Sequence, residues 1–203
     1  MSLVIVRHGE TALNAARVLQ PSDTPLGKRG LQQADAVARR LAGAGIVAIL
    51  SSDLPRALQT AQAIAAATGA PIETTPLLQE RNFGAWRGRP YDSLGFDPLT
   101  LAGTPPGGES VETFLARVDA GFALAVQRRA GLAGALAIVT HGLVVRAIIE
   151  RHLALGAFVV PAQVRNTSVT IADATAPHAA TLVDCVRHLD DAAAHDTRSL
   201  SGG

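Results

Sequence analysis

The chain has 203 residues, 48% of them hydrophobic and 17% charged, which fits one globular domain with a substantial core and is short for two. A formal charge of +1, with no basic run and no accompanying aromatic set, gives no footing for nucleic acid, and the single cysteine excludes an intrachain disulfide and a cysteine-rich metal site. No stretch is long and apolar enough to span a bilayer, and Arg7 and His8 interrupt any signal-peptide pattern, so the expectation is a cytoplasmic protein without membrane contact.

Taken in chain order, residues 3–7 open with the apolar run Leu3-Val4-Ile5-Val6 and predict a strand that ends in Arg7-His8-Gly9-Glu10. An arginine and a histidine at a strand end suit an anion, with an imidazole at hand as nucleophile or base. Residues 27–43 predict a helix whose apolar face is Leu31, Ala34, Ala38 and Leu41, closed by Gly43 and Gly45. A second strand, 46–50, runs into Ser51-Ser52-Asp53-Leu54-Pro55-Arg56. There Asp53 or Ser52 can cap a helix over 54–68, and Pro55 fits its first turn, so Arg56 lies near a helix N-terminus.

A weaker strand is expected at 71–74. Residues 81–108 have little periodicity and many glycines and prolines, the pattern of a lid or insertion over a site. A helix over 109–130 carries Phe114, Leu115, Val118, Phe122 and Val126. The strand 135–139 leads through Thr140 to His141-Gly142 and a buried helix over 142–153. Strands at 164–172 and 179–186 have no helix between them and suggest an antiparallel edge. Cys185, in the last of these, is expected to be a small buried residue. Residues 1–189 are read as a single catalytic domain and 190–203 as a flexible tail. The alternation of elements predicts an α/β fold with a mostly parallel sheet.

Three junctions share one order: apolar strand, cationic or imidazole group, helix. In a parallel α/β sheet all strand C-termini lie on one edge, where helix N-termini add backbone N–H groups and a positive dipole end. Arg7, His8, Arg56 and His141 can therefore converge on one anion of the phosphate type. A zinc site on His8 and His141 is the rival, disfavoured because Arg7 and Arg56 would repel a metal and no carboxylate–histidine spacing supplies further ligands. Neither metal nor cofactor is expected. Ser51 and Ser52 lack the glycine elbow of a serine nucleophile.

These residues resemble the histidine phosphatase superfamily, the phosphoglycerate-mutase-like enzymes. Arg7-His8-Gly9-Glu10-Thr11, with Asn14 after it, meets the family's N-terminal signature, and Ser52-Asp53-Leu54-Pro55-Arg56-Ala57-Leu58-Gln59-Thr60-Ala61 looks like its second arginine block. Leu78-Gln79-Glu80-Arg81-Asn82-Phe83-Gly84-Ala85-Trp86-Arg87-Gly88 resembles the acidic block; Pro106-Gly107-Gly108-Glu109-Ser110 and Val139-Thr140-His141-Gly142 complete the ordered set. Two departures are visible: Pro21 follows Gln20 where the family often has glycine, and Gly27 follows Pro25-Leu26 where it often has threonine. Both lie on the substrate side.

The resemblance implies a three-layer α/β/α fold and makes His8 the nucleophile that accepts a phosphoryl group. Arg7 and Arg56 would clamp the phosphoryl oxygens, the fork of each guanidinium matching phosphate geometry, and His141 would be a fourth cationic or donor group. Glu80 is the candidate general acid, since a departing alkoxide needs a proton that a partly desolvated carboxyl can supply. Asn14 and the Gly142 N–H are candidate phosphate donors, and Gln20 follows from the resemblance. Glu10 is expected to orient an arginine, and Phe83 and Trp86 either line the entrance or pack the loop onto the sheet.

Three functions compete: a metal-independent phosphatase acting on a small phosphorylated metabolite, a phosphoglycerate mutase using the same site, and a non-catalytic phosphate-binding scaffold. The scaffold is disfavoured because every chemical position holds a competent residue. Known mutases carry a longer insertion after the acidic block, with a tyrosine before its glycine. Phe83 stands there in this chain, and only residues 81–105 separate Glu80 from the Pro-Gly-Gly-Glu block. A smaller lid admits water, which favours the phosphatase, acting as a monomer or homodimer.

Overall fold

The computed structural model describes residues 2–100 and 103–189; the tail expected at 190–203 lies outside them. Six strands, β1 (Ser2–Arg7), β2 (Ile46–Ser52), β3 (Ile72–Thr75), β4 (Ala135–Thr140), β5 (Val169–Asp173) and β6 (Ala180–Cys185), form one sheet in the order β3-β2-β4-β1-β5-β6. The pairs among β1 to β4 are parallel, whereas β5 runs antiparallel to both β1 and β6. A short connection between β5 and β6 can only reverse direction, while the parallel strands are joined by helical crossovers.

The helices are α1 (Ala12–Ala15), α2 (Lys28–Leu41), α3 (Pro55–Thr68), α4 (Val111–Ala130) and α5 (Gly142–His152). The strand period of two divides the sheet into two cores. Leu3, Ile5, Leu136 and Ile138 face one side, among Phe114, Val118 and Phe122 of α4 and Val144 and Ile148 of α5. Val4, Val6, Ala137 and Val139 face the other, among Val37 and Leu41 of α2 and Ala57, Ala61 and Ile64 of α3. The result is the expected three-layer α/β/α fold, and the parallel strands deliver Arg7, Ser52 and Thr140 to one edge.

Several local expectations change. Leu31 is 48% exposed, and Gly30 takes the buried place beside Ala34 and Val37. The reason is close approach: a Cβ on Gly30 would lie 1.9 Å from the Glu10 carbonyl oxygen, so α2 can lie against the 8–10 loop only without a side chain there. The strand expected at 164–172 starts at Val169, because Thr167 adopts φ +52° and turns the chain back toward β1. Leu54 caps α3 without a side-chain bond; Ser52 Oγ instead accepts from Leu54 N–H at 3.2 Å, bracing the turn before the helix. Cys185 is half-buried rather than buried. Residues 81–108 hold three short 3₁₀ turns at 84–86, 91–93 and 98–100. Among the described residues no helix is long and apolar enough to cross a membrane.

Candidate active site

His8 leaves the end of β1 fully buried, its N–H bonded to the Thr140 carbonyl at 2.9 Å. Its Nδ1 lies 2.6 Å from the Gly9 carbonyl oxygen. A carbonyl can only accept, so Nδ1 carries the proton and Nε2 keeps its lone pair. Nε2 has no hydrogen-bond partner among the described residues. Burial, then Arg56 and Arg7, hold the His8 pKa well below the usual imidazole range, so the ring is neutral at pH 7. The loop behind it is fixed by α3 and α2: Gly9 N–H donates to Thr60 Oγ1 at 3.1 Å and Glu10 N–H to Gln33 Oε1 at 2.8 Å.

Cations surround the ring. Arg7 is buried and donates to the Val164 carbonyl; burial lowers its pKa, and the Glu80 carboxyl is foremost among the groups that oppose that fall. Arg56 stands in the first turn of α3, where Pro55 occupies N1. One of its terminal nitrogens reaches Pro21 O at 3.4 Å, and its Nε is without a partner among the described residues. Burial lowers its pKa to about 10. His141 is the N-cap of α5, its ring centroid 5.1 Å from that of His8. His141 Nε2 meets Ser52 Oγ at 2.9 Å, and its Nδ1 is unpartnered among the described residues. Burial, then Arg56, His8 and Arg7, hold its pKa low as well.

Glu80 is buried, its carboxyl close enough to act on the charges of Arg7 and Arg56. Its Oε1 accepts from Arg81 N–H at 2.9 Å and its Oε2 from Leu143 N–H at 3.2 Å. Both bonds favour the carboxylate, as do Arg56 and Arg7, yet burial outweighs them and raises the pKa to about 7. At neutral pH the group can therefore both give and take a proton. The Arg81 side chain turns away, to the carbonyls of Gly103 and Glu109, so Glu80 is not its surface ion-pair partner. The segment is clamped by Arg117 of α4. That guanidinium forks onto Glu109 at 2.7 and 2.8 Å and donates to the carbonyls of Leu77, Gln79 and Glu80. Glu109 in turn accepts from Asn82 N–H at 2.7 Å.

A family model matches residues 3–183 and describes the histidine phosphatase superfamily, branch 1. The chain belongs to that superfamily. It is 38% identical to probable phosphoglycerate mutase GpmB of Yersinia pestis over 167 residues, 77% of either chain. Among solved structures it resembles Bacillus stearothermophilus YhfR, with TM-score 0.79, 27% identity and coverage of 93% of this chain and 99% of that one. A vanadate-containing structure of mycobacterial glucosyl-3-phosphoglycerate phosphatase gives TM-score 0.73 and 28% identity, covering 85% and 90%.

Within this candidate site the structure brings Arg7, His8, Arg56, Glu80 and His141 together. Gln20 is buried beside Thr11: Oε1 accepts from Thr11 Oγ1 at 2.7 Å, and Nε2 is unpartnered among the described residues. Asn14 is buried on α1, in a capping box with Thr11, where its Oδ1 accepts from Thr11 N–H at 3.2 Å. Gly142 is the first residue of α5, behind His141. Glu10 pairs with Arg29 at 3.3 Å. Phe83 is buried in the core and Trp86 packs against it, so both serve packing.

Sequence reasoning missed Tyr91, Thr60, Ser52 as the partner of His141, and the 164–168 turn. Tyr91 is the chain's single tyrosine, buried beneath Arg17 at 5.4 Å, its hydroxyl pKa raised by burial. Its isolation in a glycine- and proline-rich stretch was the available signal. Among the described residues no group of three or more His, Cys, Asp or Glu is placed to hold a metal.

Proposed function

We propose that this chain is a phosphatase that hydrolyses a small phosphomonoester through a phosphohistidine on His8, without a metal, in the cytoplasm. One observation carries the reading: a neutral imidazole whose Nδ1–H is pinned by Gly9 keeps an Nε2 without a partner among the described residues, beside the buried Arg7 and Arg56, which also act on a buried carboxyl of pKa about 7. The substrate phosphoryl dianion sits between Arg7, Arg56 and His141. The Nε2 lone pair forms the N–P bond as the ester P–O bond breaks, and Glu80 gives its proton to the departing oxygen. Water then attacks phosphorus, Glu80 takes its proton back, and the N–P bond electrons return to His8 with release of inorganic phosphate. Residues 1–189 supply the whole catalytic domain in this reading.

The likeness to a probable phosphoglycerate mutase supports a second reading, in which the same phosphohistidine returns its phosphoryl group to a phosphoglycerate. The 81–105 segment, short for a mutase, supports hydrolysis. A panel of sugar phosphates, phosphoglycerates, glucosyl-phosphoglycerate, nucleotides and ribazole phosphate, scored for phosphate release and isomerisation together after exhaustive chelation, decides between them. Hydrolysis is expected to dominate and to survive chelation. Interconversion of phosphoglycerates, stimulated by 2,3-bisphosphoglycerate well above hydrolysis, would establish the mutase. His8→Ala is expected to abolish turnover and the acid-labile, base-stable phosphoenzyme label while the protein melts as before; an acid-stable label would point to another nucleophile.

A further inference from the structure

After β6 the chain turns at 187–189, with Leu189 N–H donating to the Val186 carbonyl at 2.9 Å. Arg40 of α2 meets them there, donating one terminal nitrogen to the Cys185 carbonyl at 3.0 Å and the other to Cys185 Sγ at 3.2 Å. The first of these nitrogens also lies 3.0 Å from His188 Nδ1, and His188 Nε2 lies 3.1 Å from Thr167 Oγ1. Thr167 belongs to the turn that braces the end of β1. Its N–H donates to the carbonyls of Arg7 and His8 at 3.1 and 3.3 Å, and the neighbouring Asn166 Nδ2 donates to His8 O at 2.9 Å.

The bond directions follow by elimination. A guanidinium has only donors, so His188 Nδ1 must accept and His188 Nε2 must carry the proton. That proton goes to Thr167 Oγ1, whose own hydroxyl hydrogen donates to Asn166 O at 2.8 Å. The chain runs without a reversal from Arg40 through His188 and the Thr167 hydroxyl to the Asn166–Thr167 peptide, whose N–H donates to the carbonyls of Arg7 and His8. It requires a neutral His188, and burial, then Arg40, lower that pKa to about 4. The other charged groups on this side are Arg187 in the same turn and Asp184, which is taken up by Arg165 at 2.9 Å. Thr167 is β-branched at φ +52°, a strained conformation that persists where surroundings over-determine it. Here both its N–H and its hydroxyl are committed.

We propose that His188 is a positioning residue: as a neutral Nε2–H imidazole latched by Arg40, it locks the strained Thr167 turn that aims His8 at phosphorus. His188 lies beyond residues 3–183, the span that the family model matches. The proposal rests on the reading of His8 as nucleophile.

Two measurements on the full chain test it. In ¹⁵N-detected histidine spectra of the unmodified protein, His188 is expected as the neutral Nε2–H tautomer from pH 5.5 to 8; a protonated or Nδ1–H ring in that range overturns the latch. In single turnovers with p-nitrophenyl phosphate, His188→Phe is expected to slow phosphorylation of His8 roughly tenfold, as a sub-ångström misplacement of a nucleophile does, with KM within twofold. His188→Gln, whose amide N–H replaces Nε2–H, should recover most of the loss. Thr167→Val should slow the step similarly, and the double variant with His188→Phe no further, since both cut one chain. Wild-type rates in His188→Phe, or losses that multiply in the double variant, overturn the latch. Absence of phosphohistidine in the unmodified protein would instead overturn the reading of His8.

Discussion

The phosphate side of the cleft and its proton-donating side are held by different means. Arg7, His8, Ser52 and His141 sit at or just beyond the ends of β1, β2 and β4, where parallel ladders run register by register up to Arg7–Thr140 and Ser51–Val139. Glu80 lies outside every strand, in a segment shaped by short 3₁₀ turns and by one ion pair, Arg117 with Glu109. The first region resists displacement because moving one group means breaking a sheet. The second is held by a few charge-assisted bonds, each removable by one substitution. In the proposed reaction, the groups that meet the phosphoryl dianion are thus built on the rigid frame, and the group whose proton moves is tuned by its clamp and its burial.

The largest effect expected from this division is on the leaving group. Glu80→Gln should slow phosphorylation of His8 by an alkyl phosphate roughly 10²–10⁴-fold, the usual contribution of general acid catalysis. p-Nitrophenyl phosphate expels a weakly basic phenolate and should lose far less in that step, with phosphohistidine accumulating as a burst because water activation is lost too. The pH profile has a fixed sign. Phosphorylation by an alkyl phosphate needs protonated Glu80, so kcat/KM should fall above about pH 7, while the aryl substrate stays flatter. Equal losses on both substrates, without a burst, would move the acid elsewhere.

A smaller effect should separate the two regions directly. Arg117→Leu leaves Glu109 without its forked partner and frees the carbonyls of Leu77, Gln79 and Glu80. Alkyl-phosphate turnover should drop about tenfold, on the scale of a modest misplacement of a catalytic group. Binding of vanadate, measured by competition, should change less than twofold, because Arg117 touches this side only as the weakest of the charges acting on His141. A parallel loss of vanadate binding would mean that the two regions are one unit.

The same division explains what could be read from residues alone. Strand ends followed by Arg-His, by Asp-Leu-Pro-Arg and by Thr-His-Gly are local patterns, and topology carried them to one edge. The packing of α2 was not legible as such: Leu31 fits the apolar stripe, and only the approach of Gly30 to the Glu10 carbonyl shows why it is turned out. The strand expected from Val164 was interrupted at Thr167, whose positive φ no propensity suggests and whose hydrogen bonds reach two distant segments, the end of β1 and His188. The Pro-Gly-Gly-Glu block was visible as a motif, but its work depends on Arg117 and on contact with the 82–84 loop. There a Cβ on Gly84 would lie 2.2 Å from the Pro106 carbonyl oxygen. Side chains that act through tertiary partners leave little periodic trace.

The smallest expected effect concerns stability, and it isolates the burial of Glu80 from its chemistry. Burial raises this carboxyl from 4.5 to about 7, so the unfolded chain releases the proton before the folded one does. Its contribution to stability is therefore present in full below about pH 4.5 and is lost as pH rises through about 7. Glu80→Gln removes the titration. The glutamine presents one acceptor where Arg81 and Leu143 N–H each find one, so the variant carries an offset of about 1 kcal/mol that does not change with pH. What should change is the difference between the two proteins: in urea unfolding from pH 4.5 to 8.5 the variant should gain about 3 kcal/mol relative to wild type. Other groups titrate alike in both chains and cancel in that difference. Curves that stay parallel across the range would mean that Glu80 keeps an ordinary carboxylate pKa, and a buried acid at neutral pH would have no support.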